Sequence, residues 1–243
     1  MKISAKTDTG KVRTNNQDYF LAGELNNGVT WAIVCDGMGG AMGGNVASET
    51  AVRIISEKLI SGYHEGMNDN SVKLLMMSAI EAANASVYSK STNDESLKGM
   101  GTTVVAAIIN QDTVYLAHVG DSRIYIISSD SIIQMTTDHS VVQMMIENGE
   151  ITPEEAKTHP KKNVITRALG VEESIRIDYS QEIFNENDIL LLCSDGLTNF
   201  VSNEEILNIC RETESYSLAD RLVDAANENG GGDNVTVVTI TDR

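Results

Sequence analysis

Ten short stretches rich in β-branched side chains and bounded by turn residues recur along the chain. They lie at 2–7, 18–23, 30–35, 102–109, 113–119, 123–127, 132–135, 176–183, 188–193 and 234–240, and they predict strands. Several neighbours are joined only by short polar links, NQD at 110–112 and SSDS at 128–131. Links of this length suit antiparallel hairpins, because a parallel pair needs a crossover of about a dozen residues or more. A parallel doubly wound sheet is therefore disfavoured. Helical periodicity falls in two clusters, 45–61 with 71–89 and 202–213 with 217–229. Within 71–89, Val72, Leu75, Met76, Ala79, Ile80, Ala83 and Val87 form one apolar stripe at helical spacing and are predicted core. Ser202 with Glu205 reads as a capping box ahead of Ile206, Leu207 and Ile209. Strand groups separated by helix pairs predict an α+β layered sandwich.

Residues 138–170 break this rhythm. The segment DHSVVQMMIENGEITPEEAKTHPKKNVITRALG carries both prolines of the chain and only short helical pieces. Thr152-Pro153-Glu154-Glu155 fits a second capping box, with proline at the first helical position. We expect a small flap-like subdomain here, within a single domain spanning 1–243.

Composition narrows the classes of function. A length of 243 residues with 41% apolar content supports a substantial core. The formal charge of −17, from 35 acidic against 18 basic residues, gives no field that would draw in a nucleic-acid backbone. Most of that acidity reads as a solvated, self-repelling surface. Cys35, Cys193 and Cys210 form no CxxC pair, and the first two sit inside apolar runs, which fits a reducing compartment. The N-terminal MKISAKTDTGKVR holds no apolar stretch of signal-peptide length. No segment approaches the ~18 apolar residues of a membrane span. A complete, cytoplasmic, monomeric protein away from membranes is the expectation.

Against this background the placement of aspartates stands out. Three apolar runs end on an aspartate beside glycine or serine: WAIVCDGMGG at 31–40, VYLAHVGDSR at 114–123 and ILLLCSDG at 189–196. Asp233 stands in GGGDNVTVVTI just before another such run. Each Asp-Gly or Asp-Ser alone reads as a tight turn. A dinucleotide-binding register at Gly37 fails, because Met42 falls where the last glycine belongs, and a P-loop reading fails because Asn45 replaces the lysine. Four carboxylates sharing one basin would raise one another's pKa, so cations are needed to keep them ionised. Oxygen-only ligands favour Mg²⁺ or Mn²⁺ over zinc. His118 reads as a packed, hydrogen-bonded strand histidine and is left out of the metal set. Arg13, five residues ahead of Asp18, is the candidate clamp for the non-bridging oxygens of a phosphate.

Taken in order, RxxNQD at 13–18, DGMGG at 36–40, GTT at 101–103, GDSR at 120–123, DHS at 138–140, SDG at 194–196 and GGGDN at 230–234 resemble the metal-dependent protein phosphatases of the 2C family. HPKKNVITRALG at 159–170 is similar to the bacterial serine/threonine branch. The resemblance spans nearly the whole chain. It implies a four-layer α-β-β-α sandwich with two central, mainly antiparallel sheets flanked by helix pairs. It also implies two core Mn²⁺ or Mg²⁺ ions, with a third often bound in bacterial relatives. Asp36 would bridge the core pair, Asp195 and Asp233 would complete one site, the Gly37 carbonyl would serve the other, and Asp18 would act through a metal-bound water. Asp121 would hold a third ion with Asp195. Asp138 and Asn234 would steady ligands or waters from behind.

By the same resemblance, a metal-bridging water would attack phosphoserine or phosphothreonine directly, opposing a bacterial Ser/Thr kinase. The partners would then be phosphoproteins, including that kinase and its substrates. A cysteine nucleophile is disfavoured, since Cys35 and Cys193 lie in apolar strands. One departure is Met38, which stands where animal relatives carry a histidine proposed as general acid. A thioether donates no proton, which leaves a metal-bound water or His159 for that task, and His159 reads first as a loop residue before Pro160. The alternative function is a non-catalytic phosphoprotein-binding module on the same fold.

Overall fold

The computed structural model describes residues 1–25 and 28–242; Asn26, Asn27 and Arg243 lie outside the described residues. Among the described residues eleven strands run β1 Lys2–Asp8, β2 Asp18–Glu24, β3 Thr30–Met38, β4 Gly101–Thr102, β5 Val104–Asn110, β6 Thr113–Val119, β7 Arg123–Ile127, β8 Ile132–Gln134, β9 Asp178–Ile183, β10 Ile189–Cys193 and β11 Val235–Thr241. They form two antiparallel sheets, ordered β1-β11-β10-β7-β8 and β2-β3-β5-β6-β9, with β4 paired to the end of β3. Helices α1 Gly40–Gly62 and α2 Asp69–Asn93 cover the second sheet. Helices α5 Asp195–Thr198, α6 Asn203–Glu212 and α7 Leu218–Glu228 cover the first. Among the described residues no helix is long and apolar enough to cross a membrane.

The near-continuous apolar strands follow from this layering. In β3, Trp31, Ile33 and Cys35 pack toward α1 and α2, while Ala32 and Val34 meet the opposite sheet. In β10, Leu191 and Cys193 face the helices and Leu190 and Leu192 face the other sheet. A strand buried on both faces reads as an apolar run instead of an alternation. The predicted stripe in α2 is core: Val72, Met76, Ala79, Ile80, Ala83 and Val87 are buried, and Leu75 packs against them partly exposed.

Four local expectations need correction. The segment 102–109 is not one strand, because Thr103 leaves the ladder to bond Asp36 and separates β4 from β5. β9 begins at Asp178 and not at 176. α1 begins at Gly40, five residues before the predicted start, since Gly43 and Gly44 lie in its first turns and glycine is a poor helix former. At α6 only half of the capping box exists: the Glu205 amide donates to Ser202 Oγ (3.2 Å), but the Glu205 carboxylate accepts from Asn229 Nδ2 (3.2 Å). The Thr152–Glu155 box is complete, at 2.8 and 3.3 Å. Within 138–170 the helices are α3 Val141–Glu147 and α4 Pro153–Ala156. The base of this segment is tied by Val141 N–H to Val164 C=O (2.8 Å) and by Thr166 N–H to His139 C=O (2.7 Å).

Candidate metal centre

Topology explains how aspartates so distant in sequence meet. In the first sheet, antiparallel neighbours place the end of β10 beside the starts of β7 and β11, where Asp195, Asp121 and Asp233 stand. In the second sheet, the start of β2 lies beside the end of β3, so Asp18 is opposite Asp36. The sheets open here into a cleft of about 510 Å³ lined by Asp36, Gly37, Asp121, Asp195, Asp233, Asn234 and Arg13. Asp18 does not line it and lies buried beneath.

The electrostatics of this cleft call for cations. Asp18 Oδ2 accepts from Ser194 Oγ (2.7 Å), but its buried Oδ1 has no hydrogen-bond partner. Burial raises Asp18 to about 7 despite the Ser194 and Thr236 hydroxyls, and Asp195 and Asp233 push the same way. Asp36 is raised well above the carboxylate range by burial and then by Asp18, Asp195, Asp121 and Asp233. Burial, then Asp195 and Asp138, lifts Asp121 to about 7, and burial and Asp233 lift Asp195 to about 6. Buried carboxylates this crowded stay ionised at neutral pH only against added positive charge. An orphaned carboxylate oxygen and an all-oxygen donor set fit hard divalent ions.

Comparison with known proteins decides the family. The family model for protein phosphatase 2C matches residues 9–230. Protein phosphatase PhpP of Streptococcus pneumoniae is 42% identical over 99% of this chain and 97% of its own length. The solved serine/threonine phosphatase of S. agalactiae has a TM-score of 0.92 at 37% identity, covering 99% of each chain. The catalytic domain of the serine/threonine protein phosphatase PstP, solved in complex with two manganese ions, has a TM-score of 0.85 at 33% identity over 98% of this chain and 96% of its own. The chain belongs to the protein phosphatase 2C family.

This protein phosphatase is a hydrolase of a metal-dependent family, and its cleft is built with supports that extend the sequence reading. Gly37 lines the cleft and presses so closely on α1 that a Cβ there would collide with the Gly44 carbonyl oxygen, so only glycine fits. Arg13 reaches the cleft half exposed, with Nη2 2.9 Å from Asp233 Oδ2. Asn234 fixes the loop that carries Arg13: its Oδ1 accepts from Gln17 N–H (2.8 Å) and its Nδ2 donates to Thr9 and Asn15 carbonyls. Asp138 takes Arg123 through both carboxylate oxygens (2.7–3.1 Å) and Gln134 (3.0 Å). His118 is buried, with Nε2 2.9 Å from Thr137 C=O, as expected of a packed strand histidine.

Two supporting residues of the phosphatase escaped the sequence reading. Thr103 Oγ1 accepts from Asp36 N–H (2.9 Å), Thr103 N–H donates to Asp36 C=O (2.9 Å), and Thr103 Oγ1 shares a 2.7 Å bond with Ser122 Oγ. Ser194 holds Asp18 and accepts from Thr236 N–H (3.0 Å). Both lie inside segments singled out for their glycines and aspartates, GTT and SDG, so their position in those segments was the available signal. The cysteines give no nucleophile, since burial raises Cys193 to about 12 and Cys35 still further.

Proposed function

We propose that this chain is a Mn²⁺- or Mg²⁺-dependent phosphatase of phosphoserine and phosphothreonine proteins that opposes a cytoplasmic bacterial Ser/Thr kinase. It would act as a single domain with 138–170 as its flap. The observation that carries the reading is the unpartnered, buried Oδ1 of Asp18 beneath a cleft where Asp36, Asp121, Asp195 and Asp233 converge. Asp36, Asp195, Asp233 and the Gly37 carbonyl would hold two core ions, with Asp18 behind them and Asp121 at an outer third. When bound, such ions lower the pKa of a water for in-line attack and neutralise charge on the phosphoryl group. Arg13 would hold and turn the phosphate. Direct attack by such a water needs no covalent phosphoenzyme.

A second cleft of about 640 Å³ shares Asp121 and Asp195 with the first and runs between the flap, at Val142, Ile146 and Lys157, and residues 198–203. Residues flanking the phosphorylated side chain would lie there, which gives the flap a part in choosing substrates.

The test is a metal titration of phosphothreonine-peptide hydrolysis by the parent protein and Asp36→Ala. Release of phosphate only with Mn²⁺ or Mg²⁺, lost in the variant, is the expected result. Tight phosphopeptide binding without turnover in any metal would favour the binding-module reading, and an unimpaired Asp36→Ala would overturn the assignment of the site.

A further inference from the structure

Four ionisable side chains gather outside the carboxylate basin at the root of the flap. These are His118 on β6, His139 just before α3, Arg167, and Asp178 at the start of β9. The two imidazoles are buried and stacked, with centroids 4.7 Å apart. Donor atoms of His118, His139 and Asp178 lie within 4.8 Å of one another, close enough to hold a metal ion. A guanidinium already takes that place: Arg167 Nη1 is 2.9 Å from His139 Nε2 and 3.1 Å from Asp178 Oδ1.

The other side of His139 points to a different role. Gly120 N–H donates to His139 Nδ1 (3.1 Å), and His139 N–H donates to Gly120 C=O (2.9 Å). One histidine thus holds both backbone polar groups of the residue before Asp121. With Nδ1 accepting, a neutral imidazole carries its proton on Nε2, which donates to Asp178 Oδ2 (3.1 Å); Arg167, whose nitrogens only donate, then acts on His139 through its bond to Asp178 and not through Nε2. Burial is the main cause that lowers the His139 pKa, in keeping with the neutral form.

Gly120 has φ +109°, and a Cβ there would lie 2.6 Å from Thr103 Cγ2, so this turn has little freedom. On its far side Ser122 bonds Thr103, which bonds Asp36. Asp121 is therefore suspended between two anchors. Ser122 and Thr103 tie it to Asp36, while Gly120 and His139 tie it to the flap, whose Thr166 N–H reaches the His139 carbonyl.

We infer that His139, oriented by Asp178, which Arg167 holds in place, is a positioning residue that sets the Asp121 carboxylate for the outer cation and couples it to the seating of the flap. The inference rests on the metal-dependent reading above. It is tested by calorimetric titration of Mn²⁺ into the intact protein, with melting temperature in EDTA followed in parallel. His139→Phe keeps a stacked ring but removes both nitrogens. It is expected to weaken the lowest-affinity Mn²⁺ class by roughly 10-fold or more, as second-layer substitutions do. The tighter class should stay unchanged, reproducing the isotherm of Asp121→Asn. Arg167→Ala should shift the same class in the same direction, and Arg167→Lys should restore it. An isotherm of His139→Phe superimposable on the parent's would overturn the inference. So would parallel loss of both Mn²⁺ classes, which marks a general structural role. A parent protein that takes up no Mn²⁺ would instead remove the metal-dependent reading on which the inference stands.

Discussion

Asp18 and Asp36 face each other as direct partners in the β2–β3 ladder. Like charges directly opposite across strands destabilise a sheet, and here the ladder brings them into a region that also holds Asp121, Asp195 and Asp233. A sequence selected for stability alone would not place them so. The pairing makes sense when positive charge completes it.

This arrangement fixes how stability depends on pH without metal. Asp18 and Asp121 rise to about 7 and Asp195 to about 6 from an ordinary 3.8, so the folded protein keeps protons that the unfolded chain has already released. Stability therefore falls as pH rises from about 4 toward 7, by up to about 1.4 kcal/mol per pH unit for each such group, and the contribution of these three groups levels off above. In EDTA the melting temperature should be higher at pH 5 than at pH 8, and Asp18→Asn should narrow the gap. Mn²⁺ at pH 8 should raise the melting temperature. A metal-free melting temperature that climbs between pH 5 and 8 contradicts this account.

Thr103 bonds the backbone of Asp36 on both sides and the hydroxyl of Ser122, all from a buried position. Thr103→Val conserves volume but leaves the Asp36 amide and the Ser122 hydroxyl without that partner. The expected cost is about 1–3 kcal/mol of stability. Metal affinity should also fall roughly 10-fold, read from the Mn²⁺ dependence of phosphopeptide turnover. Retention of parental Mn²⁺ dependence would make Thr103 a packing residue only.

His159 accepts from Lys161 N–H (3.1 Å) within its own turn and lines neither cleft. Met38 lines the main cleft and has no proton to give. His159→Ala should therefore keep kcat on a phosphothreonine peptide within about 3-fold, since a general acid contributes roughly 100-fold or more. A collapse of kcat would make His159 the proton donor.

The layers and most strand boundaries were legible because apolar runs and polar links are local signals. The convergence of Asp36, Asp121, Asp195 and Asp233 was legible because each ends or begins such a run. What escaped were partners that act through the backbone. Thr103 interrupts a predicted strand only because Asp36 offers it bonds across 67 positions of sequence. His139 touches Gly120 from the segment 138–170. Neither relation has a periodicity, and the glycine-weakened start of α1 hid its first turn for the same lack of local signal.

Arg13 supplies the last prediction, and two effects oppose each other there. Its side chain is 54% exposed and its Nη2 meets Asp233 at 2.9 Å. Removing it frees Asp233 to bind a cation more strongly, yet deprives the phosphate of a planar two-donor clamp. An exposed ion pair contributes about 1 kcal/mol at most, whereas hydrogen bonds to a charged phosphate contribute about 1.5–3 kcal/mol. The clamp should therefore dominate: Arg13→Ala is expected to lower kcat/KM for a phosphopeptide by roughly 10- to 100-fold, even at saturating Mn²⁺. Arg13→Lys should recover only part of this, because a point charge lacks the guanidinium fork. Separate measurement of kcat and KM assigns the loss, since a clamp that only binds raises KM, while one that also orients the phosphoryl group lowers kcat. Unchanged kcat/KM in Arg13→Ala would leave Arg13 as a partner of Asp233 alone.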